Sequence, residues 1–306
     1  MRIVYFTYWG KIGDRVLEWM VDNTDEEIIA VVSRPGDQGE SIKDIAFRYY
    51  LPLYQPPENV NDHKFIEVLR KLKPDLFISM YFGRLFSPEL LDVPKLGCIN
   101  MHPSLLPKGR GQGPSTWPIV YGDTETGQTI HYLDEGIDSG DIIAQRAIPI
   151  DPDDTSSTLG AKLEDLGFKL FTEMWPLIAS GKAPRIPQDH SQATYTVAAR
   201  REHARIDWTK TAVEISNLCR AFAAGLGAWA RLGEKRLYVW KSEPYTGDLT
   251  LEAKCPGHIL AVTGSGIVVQ AGDGPLLMTK TQVGRDGPDL TTYLGSMADV
   301  TPIIIE

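Results

Sequence analysis

The chain has 306 residues, and its 42% hydrophobic and 23% charged content is that of a globular protein, which excludes extensive disorder. Its length favours two domains over one. The formal net charge of −9 and the isoelectric point near 5.2 argue against a polyanion as the default partner, although a local basic patch can still bind nucleic acid.

Short apolar runs alternate with amphipathic segments over the first half of the chain, which is the pattern of βαβ units around a parallel sheet. The predicted strands cover residues 2–8, 27–33, 76–81, 95–101, 129–133 and 142–150. The predicted helices cover residues 41–49, 62–72, 115–121 and 158–178, with one more after Gly13. Gly10 and Gly13 form only half of a dinucleotide-binding fingerprint, so they predict a turn and not an NAD site.

The pattern changes after the long helix. Residues 181–200 are polar, contain prolines and lack a clear period, as expected of a linker. A helix is predicted over 212–222, followed by short strands separated by glycine turns, which suggests a small β-barrel-like domain. We therefore predict an α/β catalytic domain over 1–181, a linker over 182–203 and a β domain over 204–306.

Two polar residues stand at the end of the strand predicted over 95–101. Asn100 and His102 are two residues apart, so their side chains point to the same side of the strand. Ligands bind at the carboxyl edge of open α/β sheets. An amide donor and a protonated imidazole at that edge can stabilise the oxyanion that forms when an amine attacks an acyl carbon.

A carboxylate near this histidine could keep it protonated and position a water for proton transfer. The acidic, glycine-containing loop over residues 133–141 offers four candidates, and spacing alone does not choose among them. They are Asp134, Glu135, Asp138 and Asp141.

The segment N-x-H-x-S-L-L-P at 100–107 and the segment G-I-D-S-G-D at 136–141 together resemble the folate-dependent formyltransferase superfamily. The resemblance implies a Rossmann-like formyltransferase domain with a mostly parallel sheet and a small OB-like β-barrel domain. It implies transfer of the formyl group of 10-formyltetrahydrofolate to an amine. It also implies that Asn100, His102 and Asp138 are the catalytic residues.

The same resemblance implies where the folate binds. The pterin ring is expected against the backbone of one loop, made of Tyr81, Phe82, Gly83, Arg84 and Leu85, and against a second loop that includes Asp134, Glu135 and Gly136. No metal site is predicted, because the remaining histidines show no ligand spacing. These histidines are His63, His131, His190, His203 and His258.

The acceptor is predicted to be a small primary amine, such as an amino-sugar nucleotide or a hydroxyornithine-like amino acid. Methionyl-tRNA formyltransferases carry a long basic loop after the second strand, whereas residues 33–41 here are short and contain a single arginine. The region from residue 204 onward has ten Lys/Arg against eleven Asp/Glu, which is little positive charge for a tRNA-binding surface. The turn at residues 7–10 also resembles that of the small-amine enzymes. The predicted acceptor contacts are Tyr8, Trp9, Gly10, Lys108 and Arg110.

Three alternatives remain open at this point: methionyl-tRNA as the acceptor, a hydrolase that releases formate, and a folate-binding sensor with an idle site. Cys98, Cys219 and Cys255 are far apart and odd in number, so free thiols in a reducing compartment are predicted. No apolar run approaches the roughly 20 residues of a membrane helix. We therefore predict a cytoplasmic monomer or homodimer without a membrane partner.

Overall fold

The computed structural model describes residues 1–8, 10–35, 40–56, 59–247, 254–296 and 304–306. The chain forms two compact units, each assembled from three segments. The first unit consists of Met1–Pro114, Glu125–Pro149 and Ala161–Val197. The second unit consists of Ser115–Thr124, Ile150–Gly160 and Ala198–Glu306.

The first unit is built on a seven-stranded sheet. The strands of this sheet are β1 (Arg2–Thr7), β2 (Glu27–Val32), β3 (Leu53–Tyr54), β4 (Leu76–Met80), β5 (Cys98–His102), β7 (Glu125–Tyr132) and β8 (Ile142–Pro149). Two further strands, β6 (Arg110–Gly111) and β9 (Tyr195–Thr196), form a separate pair. The order in the sheet is β3-β2-β1-β4-β5-β7-β8. The ladders from β3 to β5 are parallel, whereas β7 and β8 are antiparallel. The predicted mostly parallel sheet is confirmed.

Helices cover both faces of this sheet, so its central strands are buried on both sides and read as continuous apolar runs. Ile3 and Tyr5 of β1 belong to one core cluster, and Val4 and Phe6 belong to the other. The helices of the chain up to residue 179 are α1 (Lys11–Asn23), α2 (Glu40–Arg48), α3 (His63–Lys71), α4 (Pro88–Leu91), α5 (Trp117–Tyr121) and α6 (Ser156–Ala179). Asp62 caps α3, accepting hydrogen bonds from the backbone N–H of Lys64 and Phe65.

Gly13 in α1 makes a testable packing contact. A Cβ at this position would overlap Thr7 Oγ1, because α1 lies directly against the end of β1. We expect Gly13→Ala to lower the free energy of unfolding by about 1–3 kcal/mol through overpacking. Gly160→Ala is the control, since a Cβ there meets its nearest atom at 3.9 Å, and it should stabilise the helix by about 0.5–1 kcal/mol. Urea denaturation measures both, and equal stability of the two variants would contradict the contact.

The segment predicted as a linker differs from that expectation in its first part. Ile186 exchanges two backbone hydrogen bonds with Ile142, of 2.8 and 3.0 Å, and β9 pairs in parallel with β6. Residues up to Val197 therefore belong to the first unit. Pairing of one or two residues at a time satisfies exposed backbone groups without the periodicity that identifies a strand in sequence.

The second unit contains a five-stranded antiparallel sheet of order β10-β11-β14-β13-β12, which confirms the predicted C-terminal β domain. Its strands are β10 (Ala228–Leu232), β11 (Lys235–Pro244), β12 (Ile259–Thr263), β13 (Gly266–Gln270) and β14 (Pro275–Val283). Its later helices are α7 (Ala212–Phe222) and α8 (Leu290–Gly295). Thr211 and Glu214 form a capping box at the start of α7, which buries Ile215 and Cys219 in the core. Within the described ranges, every helix is too short or too polar to cross a bilayer.

Candidate active site

Asn100 lies on β5, opposite His131 of the antiparallel strand β7. The Asn100 amide Nδ2 donates to His131 Nε2 over 3.1 Å. His131 Nδ1 lies 2.8 Å from the backbone oxygen of Tyr132, which can only accept, so this nitrogen carries a hydrogen. In the neutral ring Nε2 is then an acceptor, as the bond from Asn100 requires. The amide of Asn100 keeps its second hydrogen for another acceptor.

His102 ends β5 and is almost fully buried, with 5% of its surface exposed. Its Nε2 lies 2.9 Å from the backbone oxygen of Gly109, and its Nδ1 lies 3.5 Å from Asp138 Oδ2. Both ring nitrogens therefore face oxygen acceptors. Only the protonated imidazole offers a hydrogen to each, so the surroundings suit a positively charged ring.

Asp138 comes from the loop between β7 and β8 and has a backbone φ of 49°, in the left-handed region. Its Oδ2 accepts a hydrogen bond of 2.9 Å from Gly111 N, and its Oδ1 lies 3.5 Å from His131 Nε2. Burial alone would raise the pKa of this carboxyl. The charge of His102, together with the hydrogen bond from Gly111, outweighs burial and holds the pKa well below its usual range.

The other acidic candidates of this loop lie elsewhere. Asp134 is exposed, and its Oδ1 accepts from Ser139 Oγ over 2.7 Å and from Gly136 N over 3.1 Å. Glu135 is exposed, and Asp141 lies 3.5 Å from Arg185. The structure therefore groups only Asp138 of the four carboxylates with His102. Asp134 instead shapes the turn at Gly136, where a Cβ would overlap Ser139 Oγ.

Two residues of this cluster were missed from the sequence. His131 joins Asn100 to Asp138, but only the β5–β7 register reveals that contact. Gln188 lies in the segment predicted as a linker, is 6% exposed, and donates to the backbone oxygens of Asp138 (2.9 Å) and Gly140 (2.7 Å). Its own oxygen accepts from Arg110, so Gln188 fixes the backbone at Asp138.

We expect Gln188→Ala to lower the free energy of unfolding by about 1–3 kcal/mol, because buried backbone oxygens and Arg110 would lose their partner. A loosened Asp138 should also lower kcat about tenfold or more. Thermal unfolding and steady-state kinetics test this result. Gln192→Ala is the control, since Gln192 is exposed and bonds only Asp189. Equal effects of the two substitutions would exclude a role for Gln188 in holding the loop.

The loop predicted to bind the pterin follows β4 at the carboxyl edge of the sheet. Tyr81 and Gly83 have positive φ angles of 51° and 65°, while the Phe82 ring is buried against Phe6 at 5.5 Å between centroids. The carbonyl oxygens of Phe82 and Gly83 accept from Arg34 Nη2. Gly83, Arg84 and Leu85 are exposed.

The residues predicted to contact the acceptor divide into separate environments. Tyr8 is half-buried with the Arg34 guanidinium 4.3 Å from its ring centroid, Gly10 and Lys108 are exposed, and Trp9 lies outside the described residues.

The prediction that Arg110 contacts the acceptor requires a correction. Arg110 is 1% exposed, and its guanidinium donates to a glutamine, a histidine and a tyrosine. These are Gln188, His190 and Tyr195. The guanidinium therefore anchors the 188–195 segment instead of facing an acceptor.

Metal ligation was not predicted, yet the part of the chain that the structure describes contains one group of suitable side chains: His63, Glu67 and Glu89. His63 Nδ1 lies 2.7 Å from Glu89 Oε1 on the surface. Arg70 pairs with both carboxylates of the group, so a cation already compensates them.

Comparison with known proteins identifies the family. The model of the formyl transferase domain matches residues 1–174, and that of the formyl transferase C-terminal domain matches residues 199–291. Methionyl-tRNA formyltransferase of Geobacter sulfurreducens is 37% identical over 266 residues, covering 84% of this chain and 82% of the relative. The corresponding enzyme of Desulforamulus reducens is 34% identical over 303 residues, covering 96% of this chain and 94% of the relative.

Solved structures share the fold. The N-formyltransferase of Helicobacter canadensis, in complex with folinic acid and dTDP-3-aminofucose, superposes with a TM-score of 0.67 at 24% identity over 91% of this chain and 98% of its own. A sugar 3N-formyltransferase with dTDP and 5-N-formyl-THF gives a TM-score of 0.70 at 21% identity over 92% and 98%. The chain therefore belongs to the formyl transferase family and is a one-carbon group transferase.

Proposed function

We propose that this enzyme transfers the formyl group of 10-formyltetrahydrofolate to the amine of methionyl-tRNA. The observation that carries formyl transfer is the cluster of Asn100, His131, Asp138 and His102 at the carboxyl edge of the sheet. It combines neutral and charged hydrogen-bond donors with one buried carboxylate, which is what acyl transfer to an amine requires.

In the proposed mechanism the neutral amine attacks the formyl carbon directly. The second amide hydrogen of Asn100 donates to the oxyanion, and the positive charge of the protonated His102 stabilises it. Asp138 keeps the imidazole charged and accepts the proton of the attacking amine through water. The tetrahedral adduct then collapses, the bond from carbon to the departing nitrogen breaks, and that nitrogen takes up the proton that Asp138 accepted, again through water. Cys98 is buried and burial raises its thiol pKa far above neutrality, so it is unsuited to act as a covalent nucleophile.

The loop at residues 81–85 suits a flat heterocycle with acceptor nitrogens and oxygens. Among the described residues, the backbone N–H groups of Gly83, Arg84 and Leu85 have no hydrogen-bond partner. They are exposed beside the carboxyl edge, where the positive φ angles of Tyr81 and Gly83 turn the backbone outward. Residues 83–85 would therefore hold the folate head group through main-chain donors, and the folate supplies the formyl group.

Methionyl-tRNA is favoured as the acceptor over the small amine that sequence analysis preferred. The curated relatives described above carry that name and align over 84% and 96% of this chain. Their identity of 34–37% is higher than the 21–24% of the sugar-modifying structures. At the lower identity the likeness concerns the fold alone.

A basic and aromatic surface of the second unit supports an RNA acceptor. Arg236 and Arg205 lie 4.4 and 5.8 Å from the Trp229 ring centroid, and Lys235 lies 4.7 Å from that of Tyr293. None of these three cations has an ion pair among the residues that the structure describes. Cations interleaved with aromatic rings bind phosphates and stack bases. The local surface is thus more basic than the overall charge of this region indicates.

A small amine stays the second candidate because of one sequence feature. The segment at 33–41 carries a single arginine where tRNA-modifying members of the superfamily have a long basic loop. Residues 36–39 of this segment lie outside the described residues.

Labelled formyl donor, offered with methionyl-tRNA and separately with amino-sugar nucleotides and hydroxyornithine, decides between the candidates. We expect formylation of methionyl-tRNA with a rate that falls steeply as salt increases. Turnover of a small amine with little salt dependence would overturn the tRNA assignment. A blank without any amine tests for hydrolysis, since rapid formate release there would contradict transfer.

A further inference from the structure

Glu164 extends from α6 to the turn after β1. Its Oε1 accepts a hydrogen bond of 3.2 Å from the backbone N–H of Lys11. A Cβ placed on Gly10 would stand 2.5 Å from that oxygen and 3.4 Å from Tyr81 Cδ2. The carboxylate, the Gly10 turn and the Tyr81 ring therefore meet beside the carboxyl ends of β1 and β4, on the ligand-binding side of the sheet.

Tyr81, beside Glu164, is hydrogen-bonded to β7, the neighbour of the strand that carries His102. The Tyr81 hydroxyl accepts a hydrogen bond from Gln128 Nε2. Gln128 is fully buried, and its Nε2 also donates to the Leu163 oxygen over 2.7 Å, which fixes the orientation of the amide. The next residue along β7 pairs with His102. Glu164 thus reaches the same edge of the sheet as the proposed catalytic cluster, from the face covered by α6 and opposite to Asn100 and His102.

This corner of the site has more acceptors than donors. Among the described residues, Glu164 Oε2 has no hydrogen-bond partner, and the buried Gln128 Oε1 has none either. The nearby Arg15 pairs with Asp165 at 2.6 Å. Burial raises the pKa of Glu164, against the smaller lowering by Lys11 and Arg15. A role as a cap of α1 explains the contact of Oε1 but leaves Oε2 without a function.

We propose that Glu164 is an acceptor-specificity residue whose carboxylate binds the ammonium form of the acceptor amine. This proposal rests on the proposed formyl transfer to an amine. An ammonium has three donors and a positive charge, and an α-amino group with a pKa of about 8 is mostly in this form at neutral pH. It therefore complements the unpartnered Oε2 of Glu164. Transfer of one of its protons to solvent water then gives the neutral amine that attacks the formyl carbon.

Glu164→Gln tests the proposal, because the amide oxygen can still accept from Lys11 while the charge is removed. We expect the KM for methionyl-tRNA to rise about tenfold or more, while the KM for the formyl donor is unchanged. Asp165→Asn is the matched control, since it removes the neighbouring carboxylate of the same helix, which pairs with Arg15. An acceptor KM for Glu164→Gln within twofold of the wild-type value would overturn the proposal.

A binding measurement separates this inference from the proposed function. Methionyl-tRNA and its counterpart with a hydroxyl in place of the α-amine are titrated without formyl donor. Wild-type protein should prefer the amine, and Glu164→Gln should lose that preference, whereas Asp165→Asn should keep it. Equal preference in wild type and Glu164→Gln contradicts the role of Glu164. Absence of formylation by the wild-type protein contradicts only the proposed function.

Discussion

Replacement of His102 by alanine is expected to lower kcat about 10²–10³-fold, with little change in the KM for either substrate. The imidazole is nearly buried, and its nitrogens face Gly109 O at 2.9 Å and Asp138 at 3.5 Å. Loss of the ring removes a positive charge that acts on the oxyanion and not on the ground state, so the effect belongs in kcat. Single-turnover measurements with saturating donor and acceptor give the rate of the chemical step.

His63→Ala is the control for this experiment, because His63 is an exposed histidine that pairs with Glu89 on the surface. Its kcat should equal that of the wild-type enzyme. Circular dichroism of both variants establishes that they fold. If folded His102→Ala retained a rate within threefold of wild type, His102 could not be the positive charge that stabilises the oxyanion.

Asp138→Asn is expected to lower kcat about 10²–10⁴-fold while preserving the loop. Asparagine adopts positive φ readily, so it fits the φ of 49° at this position, and its oxygen can still accept from Gly111 N. What disappears is the negative charge beside His102 and His131. The pH–rate profile of the variant should therefore differ from that of the wild type, and an unchanged profile would contradict the assignment.

The same substitution has a predictable effect on stability. The folded state holds the pKa of Asp138 below its unfolded value of about 3.9, so the ionised carboxylate stabilises the fold above that pH. This contribution is lost as the pH falls through the folded value. Wild type should exceed Asp138→Asn in the free energy of unfolding at neutral pH, and the difference should shrink below pH about 4. Asp44→Asn, at an exposed position, should show no such trend.

Much of the fold and three of the four residues of the proposed catalytic cluster follow from the sequence, with Asp138 chosen by the family resemblance. Apolar runs such as the one in β1 predict buried parallel strands, and alternation along β5 predicts that Asn100 and His102 share one side. His131 and Gln188 could not be predicted in the same way. Their roles depend on an antiparallel register and on a segment without periodicity, and both are tertiary features that no local pattern encodes.

Arg110 shows why charge is a weak guide to exposure. An arginine between two glycines reads as a solvated loop residue. Burial is tolerated here because Gln188, His190 and Tyr195 accept its donors, and all three lie about 80 residues further along the chain. Similarly, Arg205, Lys235 and Arg236 around Trp229 have no ion pair within the described ranges, although the charges of the whole region nearly cancel in a count from the sequence.

The pairing of β9 with β6 determines how far a recombinant fragment of the first unit must extend. A recombinant fragment ending near residue 174 or 181 would lack Gln188, β9 and the acceptors of Arg110. Such a fragment would keep Asn100 and His102 on β5 but would carry Asp138 on an unsupported loop. A fragment extended through Val197 would retain those supports, so the shortest functional boundary lies beyond the family's first domain.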